Sequence, residues 1–462
     1  LDHVGVEVHN DEAVSLLTSH GGSVDQAGRV LLPPAVIDQA LKTAPDVVRL
    51  FDALGQPTHE LTGDNVYFTP GSAAIHVLDE ASGRIRPPAT DDYVRYVKVV
   101  SGLKHIAAQS TAFIPAEVPE AVSDSYRLYL RLLLGEKPVV TGAFSAEGFG
   151  VMRDLLLAVR GTIEDLRGQP LALFSCCPTA PLKWSKETSQ NVIDCARSGV
   201  PVEFISMPLP GFVSPVTLVG SVVQHAAETL SGVVLSQLAE AGAPMLWGGS
   251  PAVFDIRTET TPMGAIETMM IDCANAEVGK RLGIPTQAYI ALSDSKRLDA
   301  QAGFETGMGA VLAGLSGINS ISGPGMLDFE SCQSLEKLVL DDEICAMVAR
   351  MRRGIAPRDD FPARPLFEEL LRDGHLLIAA HTRRHMREQI HLPGPVIERA
   401  SLGRWREEGE TSLGTRATRE VDRLIPDWTP SRIPAQTKQA LRESMGAAAR
   451  EAGLDALPVV EA

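Results

Sequence analysis

From about residue 63 the chain repeats one pattern: a short apolar run, a turn rich in Gly, Ser or Pro, then a stretch with apolar residues at helical spacing. That succession predicts a strand, a loop and an amphipathic helix, over and over. Eight runs mark the strands: Val66-Tyr67-Phe68, Ile106-Ala107-Ala108, Val139-Val140, Leu171-Ala172-Leu173-Phe174, Val202-Glu203-Phe204-Ile205, Met245-Leu246-Trp247, Thr286-Gln287-Ala288-Tyr289-Ile290 and Ile318-Asn319-Ser320-Ile321. They start about 30 to 42 residues apart, the length of one strand-helix unit with modest loops. Proline opens several of them, at Pro138, Pro170, Pro201, Pro244 and Pro285, as it can at the first residue of a strand. Helical spacing falls between them over residues 122–134, 149–159, 186–197, 219–240, 263–282, 300–315 and 335–352. Eight units in one uninterrupted series predict an α/β fold of the (β/α)8 type, a TIM barrel. A doubly wound open sheet shares the alternation but usually has fewer strands and a Gly-rich phosphate turn. No GxGxxG follows any run and no GxxxxGK[ST] occurs, so a nucleotide cradle has no support.

The flanks follow other rhythms. Residues 1–62 carry two short helical patterns, 11–19 and 34–42, and the apolar stretch Val47-Val48-Arg49-Leu50-Phe51, which predicts a small N-terminal helical cap. The barrel is assigned to 63–355, as the catalytic domain. Residues 356–462 turn to charged helical stretches, 365–371, 376–389 and 396–408, with Asp359-Asp360 and Pro362 at the joint. This predicts a helical C-terminal extension whose apolar face either packs beside the barrel or serves the interface of a homo-oligomer.

Composition narrows the partners. The chain has 462 residues, 44% hydrophobic, with 42 Lys+Arg against 58 Asp+Glu and a formal net charge of -16. Such a surface repels phosphate backbones and anionic lipid, which leaves a small molecule or a protein with a positive patch. Aromatics make up 5%, while 40 Gly and 31 Pro suit many strand-to-helix turns better than an aromatic-rich sandwich. The six cysteines, at 176, 177, 195, 273, 332 and 345, form no CxxC pair and read as reduced thiols of a cytoplasmic protein. No apolar run approaches the roughly 18 residues of a membrane span, and the opening Leu1-Asp2-His3 lacks a charged and apolar leader.

In such a barrel the chemistry lies where strands end. There the chain offers Thr69-Pro70-Gly71-Ser72, Gln109-Ser110-Thr111, Thr141-Gly142-Ala143-Phe144-Ser145, Ser175-Cys176-Cys177, Ser206-Met207-Pro208, Gly248-Gly249-Ser250, Ala291-Leu292-Ser293-Asp294 and Ser322-Gly323-Pro324-Gly325-Met326. The set is small, polar and nearly uncharged, unlike the paired carboxylates of an acid-base hydrolase. Singly, such Ser and Gly residues are turn formers. Cys176 and Cys177 are adjacent and would face opposite sides of a strand, with no HxH or HExxH nearby, so no bound metal is expected. His76 and His225 read as packing residues. Glu267 and Glu305 interrupt apolar helical segments and must face solvent, a partner or a polar cavity. Phe144, Phe174, Phe204, Trp247 and Tyr289 fall near strand ends, where ring faces can cage a quaternary ammonium. Trp247, directly before Gly248-Gly249, is the foremost pocket candidate, although core packing is the commoner fate of each ring.

Several segments carry a family resemblance. They are Ser293-Asp294-Ser295-Lys296 leading to Asp299-Ala300-Gln301-Ala302-Gly303-Phe304-Glu305, then Leu312-Ala313-Gly314-Leu315-Ser316-Gly317-Ile318-Asn319, Gly323-Pro324-Gly325-Met326-Leu327 and Leu338-Val339-Leu340-Asp341-Asp342-Glu343-Ile344. With Leu1-Asp2-His3-Val4-Gly5-Val6, Asn10-Asp11-Glu12-Ala13 and Gly248-Gly249-Ser250 with Asp255, they cover nearly the whole chain. Together they resemble the trimethylamine methyltransferase family. The resemblance implies a barrel that moves a methyl group from a methylated amine to the Co(I) corrinoid (cobalamin) of a separate corrinoid-binding protein. Archaeal members carry pyrrolysine in the barrel, a column the strand-seven end from Tyr289 to Lys296 would match. This chain has only standard residues, which points to the branch that demethylates quaternary amines of the glycine betaine kind. On that reading Trp247, Tyr289 and Phe144 hold the ammonium, Glu267 or Glu305 complements its charge, and donors near Ser250 and from Ser322 and Gly323 to Gly325 receive the substrate carboxylate. The rival readings are a non-catalytic quaternary-amine binding protein and a zinc-assisted corrinoid methyltransferase with Cys176 or Cys177 as ligand.

Overall fold

The eight apolar runs deliver eight parallel strands: β1 (Tyr67–Thr69), β2 (Gln109–Ser110), β3 (Val139–Thr141), β4 (Ala172–Cys176), β5 (Val202–Ser206), β6 (Met245–Gly249), β7 (Gln287–Tyr289) and β8 (Ser320–Ser322). A computed structural model describes residues 1–462 except 81, 144, 145, 455, 459, 461 and 462, and leaves the side chains of 146 and 147 undescribed. Strands β2 to β6 pair in sequence order as one arc, and β7, β8 and β1 as a second. Single parallel bridges, Phe68 to Ile106 and Trp247 to Thr286, join the arcs at both ends. The circle closes, and the chain is a (β/α)8 barrel.

Each strand is followed by a helix: α1 (Thr90–Gly102), α2 (Glu120–Leu134), α3 (Ala146–Arg160), α4 (Lys186–Ser198), α5 (Leu218–Ala239), α6 (Ile266–Arg281), α7 (Ala300–Ser316) and α8 (Leu335–Arg352). Local chemistry sets several boundaries. Ser185, Asp299 and Ser334 cap α4, α7 and α8 by accepting a backbone N–H of the first turn. Gly199 and Gly317 end α4 and α7 at φ 69° and 64°, a left-handed conformation that costs glycine little. Helix α5 is, by length and composition, apolar enough to cross a membrane. Here half of its apolar window is buried, and its Glu228 accepts from the backbone N–H of Leu182 and the hydroxyl of Ser206.

The amino-terminal segment contributes more than helices. A hairpin of Val48–Phe51 and Pro57–Leu61 sends Val48, Leu50 and Leu61 into one apolar cluster with Val140 of β3, Leu173 of β4 and Leu246 of β6. These strand residues face the barrel axis, so the hairpin plugs the floor and leaves the opposite end, where the strands finish, to hold a ligand. At the carboxyl end, Leu413–Asp427 packs on α1 and α8, and Ala435–Glu451 on α2 and α3. Between them and the barrel, the helices Arg364–Asp373 and Ala380–Gln389 contain no buried residue.

Candidate active site

A cavity of about 470 Å³ opens at the carboxyl ends of the strands, and all eight βα units contribute to its wall. Thr111 and Thr141 follow β2 and β3 and share a hydroxyl hydrogen bond of 3.2 Å. Ser175 and Cys177 come from β4, Ile205 and Met207 from β5, and Ser250 from the end of β6. Tyr289 closes β7, and its phenol lies 2.9 Å from the hydroxyl of Ser72 in the loop after β1. Glu330 enters from the loop after β8. The wall near β2, across the barrel from β6, includes Arg127 of α2. Its guanidinium is 1% exposed and donates to the Thr111 carbonyl at 2.9 Å and to Asp124 at 2.6 Å.

Two carboxyl groups set the electrostatics. Glu203 sits on β5 with no solvent exposure, and Ser175 donates to its Oε1 at 2.7 Å while Oε2 has no partner among the described residues. Burial disfavours the carboxylate and pushes Glu203 up to about 7. Glu330 is pushed well above the usual carboxylate range, first by burial and further by Glu203, against the backbone N–H of Ser72 that holds it at 3.4 Å. The Tyr289 phenol and the Cys177 thiol are also driven up by burial, the thiol to about 12. The site therefore holds neutral acids in a low-dielectric pocket.

The backbone is bent to place these groups. Asp328, Phe329 and Glu330 are consecutive and all left-handed, at φ 51°, 54° and 70°, and Ala73 and Ala291 at the same mouth lie at 69° and 67°. Such conformations cost a side-chain-bearing residue about 1 kcal/mol or more each. Lys296 steadies the run: its ammonium lies 3.2 Å from Asp328 and 3.8 Å from the centre of the Phe329 ring.

Of the expected site residues, Tyr289 and Ser250 line the cavity. Trp247 does not. Its strand neighbour Leu246 belongs to the barrel-floor cluster, so side-chain alternation turns Trp247 outward. There the indole is fully buried, 5.7 Å from the ring of His225 on α5, in space that Gly279 of α6 leaves open. Glu267 is exposed in the first turn of α6. Glu305 is buried, but in a separate cleft of about 590 Å³ between the loops after β6 and β7. It accepts from Ser293, the Asp294 N–H and Gln301 at 2.6, 2.9 and 2.9 Å, a structural tie between loop and helix. Ser322 is buried and absent from the cavity wall, and Gly323 packs so closely that a Cβ would stand 2.1 Å from the Ile290 carbonyl oxygen. Phe144 lies outside the described residues. Among the cysteines, Cys177 lines the cavity, whereas Cys176 is buried beside Cys195 of α4. No three His, Cys, Asp or Glu side chains at the mouth come within ligand distance of one another among the described residues.

The family profile described as "Trimethylamine methyltransferase (MTTB)" matches residues 1–453. The chain belongs to the trimethylamine methyltransferase family. It is a methyltransferase. A trimethylamine methyltransferase of Desulfitobacterium hafniense is 27% identical over 96% of this chain and 89% of its own length. The glycine betaine methyltransferase of the same species is 25% identical over 98% and 94%. A trimethylamine methyltransferase of Methanosarcina mazei reaches 35% over 91% and 86%. In shape the chain resembles the monomethylamine methyltransferase of Methanosarcina barkeri at TM-score 0.51, with 12% identity, covering 97% of this chain and 90% of that one.

Sequence reasoning missed several residues in or close against this family member's cavity. Glu203 was counted inside an apolar run, although a lone carboxyl within a buried strand was itself the signal. Arg127 lies among other charges on α2, and only the covering helix Ala435–Glu451 makes that whole surface interior. Glu330 stands in a loop with no motif around it.

Proposed function

We propose that this methyltransferase takes its methyl group from a quaternary amine of the glycine betaine kind and passes it to the Co(I) corrinoid of a partner protein. The observation that supports the reading is the polarity of the cavity: the Tyr289 ring and the Glu330 acid on one side, with Glu203 buried close to both, and the guanidinium of Arg127, paired with Asp124, on the wall near β2. A zwitterion with an ammonium at one end and a carboxylate at the other matches that arrangement; a simple methylamine leaves the Arg127 side unused.

The chemistry asks little of the protein. As the methyl carbon is attacked by Co(I), the nitrogen keeps the C–N bond pair and departs as a neutral tertiary amine. No general acid is required. The residues have to strip water from the cation and aim one methyl at the open mouth. The Tyr289 face attracts the ammonium, and ionisation of Glu203 or Glu330 on its arrival supplies the counter-charge. Thr111 and Thr141, beside Arg127, offer hydroxyl donors for the carboxylate end.

The test is spectroscopic. A corrinoid protein reduced to Co(I) is mixed with the enzyme and either glycine betaine or trimethylamine. Loss of the Co(I) absorbance with growth of methyl-Co(III) under glycine betaine is the expected result. Methylation by trimethylamine alone would refute the quaternary-amine assignment, and methylation by neither, nor by other betaines, would refute the reading as a whole.

A further inference from the structure

Four of the chain's 11 histidines, His375, His381, His385 and His391, fall within 17 residues of the carboxyl-terminal extension, far in sequence from the barrel mouth. Two of them stand four residues apart on the helix Ala380–Gln389 and so share one face. Their rings lie 5.1 Å apart, centre to centre. Asp359, in the segment between α8 and Arg364–Asp373, reaches both: its Oδ1 is 2.8 Å from Nδ1 of His381 and 2.9 Å from Nε2 of His385. All three ligand atoms fall within 4.8 Å of one another. We propose that Asp359, His381 and His385 form a binding site for a divalent transition metal of the zinc class.

Two further observations favour an ion over a plain hydrogen-bonded cluster. Nε2 of His385 is buried and makes no hydrogen bond among the described residues, although it stands so close to the Asp359 carboxylate. A buried imidazole nitrogen without a hydrogen bond is free, as the neutral tautomer, to ligate an ion. Second, Arg384 holds the other carboxylate oxygen, Oδ2, at 2.9 Å, which fixes Asp359 with Oδ1 toward the two imidazoles. This is the outer-sphere support that orients a metal-bound carboxylate.

The ligand set selects the ion. Two imidazoles and one carboxylate suit Zn²⁺ or its first-row neighbours, and i, i+4 histidines on a helix are a recurring way to present them. One carboxylate is too few oxygens for Ca²⁺ or Mg²⁺. The neighbouring helices offer no buried apolar residue, so this stretch has no core of its own. An ion here staples the loop holding Asp359 to the helix, as metals do where a core is too small to order the chain.

The full chain, stripped of metal with a chelator, is titrated with Zn²⁺ by calorimetry and with Co²⁺ by visible absorption. One equivalent binds, and His381→Ala and His385→Ala each weaken it at least tenfold while the far-ultraviolet circular dichroism is unchanged. Arg384→Ala, which frees the Asp359 carboxylate, weakens binding about 10- to 100-fold without abolishing it. Bound Co²⁺ shows visible d–d bands and no thiolate charge-transfer band. Absence of binding, or binding that survives the double variant His381→Ala/His385→Ala, overturns the proposal, and a thiolate charge-transfer band overturns it in favour of the cysteines.

Discussion

The hydroxyl of Ser175 donates to Glu203 Oε1 at 2.7 Å, and the other oxygen of that carboxyl meets no partner among the described residues. One hydrogen bond is too few to hold an ionised carboxylate in a dry barrel, so Glu203 keeps its proton up to about pH 7. Below pH 7 this side of the site stays largely uncharged until something positive enters.

On the proposed reading, binding of a quaternary ammonium is coupled to proton release. A fixed cation beside Glu203 and Glu330 favours their ionised forms, so glycine betaine displaces a proton at neutral and mildly acidic pH, and its affinity falls as the pH drops below 7. Calorimetry in two buffers of different ionisation enthalpy should give different apparent binding heats, with a smaller difference for Glu203→Gln. Identical heats in both buffers would mean that the acids do not answer the ligand.

The same carboxyl shapes stability. Its folded pKa of about 7 exceeds the ordinary 4.5, so the folded state holds the proton more tightly than the unfolded chain. Its contribution is full below pH 4.5 and is lost as the pH rises through 7. Urea denaturation of wild type and Glu203→Gln across this window should show the variant gaining about 2–3 kcal/mol relative to wild type on the alkaline side.

Tyr289 offers both a ring face and a phenol bonded to Ser72. Tyr289→Leu removes both and should weaken glycine betaine binding roughly 5- to 30-fold, the worth of a desolvated cation–π contact of about 1–2 kcal/mol. Tyr289→Phe keeps the face and should stay within about threefold of wild type. A neutral isostere of the substrate should show neither loss.

Trp247 predicts the opposite split. Packed between β6 and the helices α5 and α6, it touches no cavity atom, so Trp247→Phe should lower thermal stability by on the order of 1 kcal/mol and leave substrate affinity unchanged. A loss of affinity at constant stability would return the indole to the cation site.

The ion pair of Lys337 and Asp341 on α8 has no solvent exposure, with 2.5 Å between Nζ and Oδ2. The same Oδ2 receives the Gly325 N–H in the loop after β8, and Lys337 also donates to Thr306 of α7. Lys337→Met leaves a buried carboxylate without its cation and should cost about 3–5 kcal/mol in chemical denaturation. Lys337→Met/Asp341→Leu should recover part of that loss.

The barrel was legible because its strands are buried on both faces and so appear as continuous apolar runs. The same property conceals which residues face the axis. Nothing local distinguishes Leu246, on the barrel floor, from Trp247, in the helix layer, and the choice depends on the register of β6 against β5 and on where the Val48–Phe51 hairpin sits. Tyr289 and Ser250 could be placed because they end strands. Glu330 could not: it reaches the cavity through three consecutive left-handed residues, a path set by Lys296 and by the packing of the β8 loop rather than by any residue preference.

The two single-bridge joints of the barrel divide more than the strands. Tyr289, Ser72 and Glu330 ride on the arc of β7, β8 and β1, while Glu203, Ser175, Arg127 and Ser250 ride on the arc of β2 to β6. The aromatic face and one acid thus come from one arc, and the guanidinium and the strand that carries the second acid from the other. A ligand that reaches from Tyr289 to the Arg127 wall, as proposed above, spans both arcs, so its binding would tie the two parts of the strand circle together.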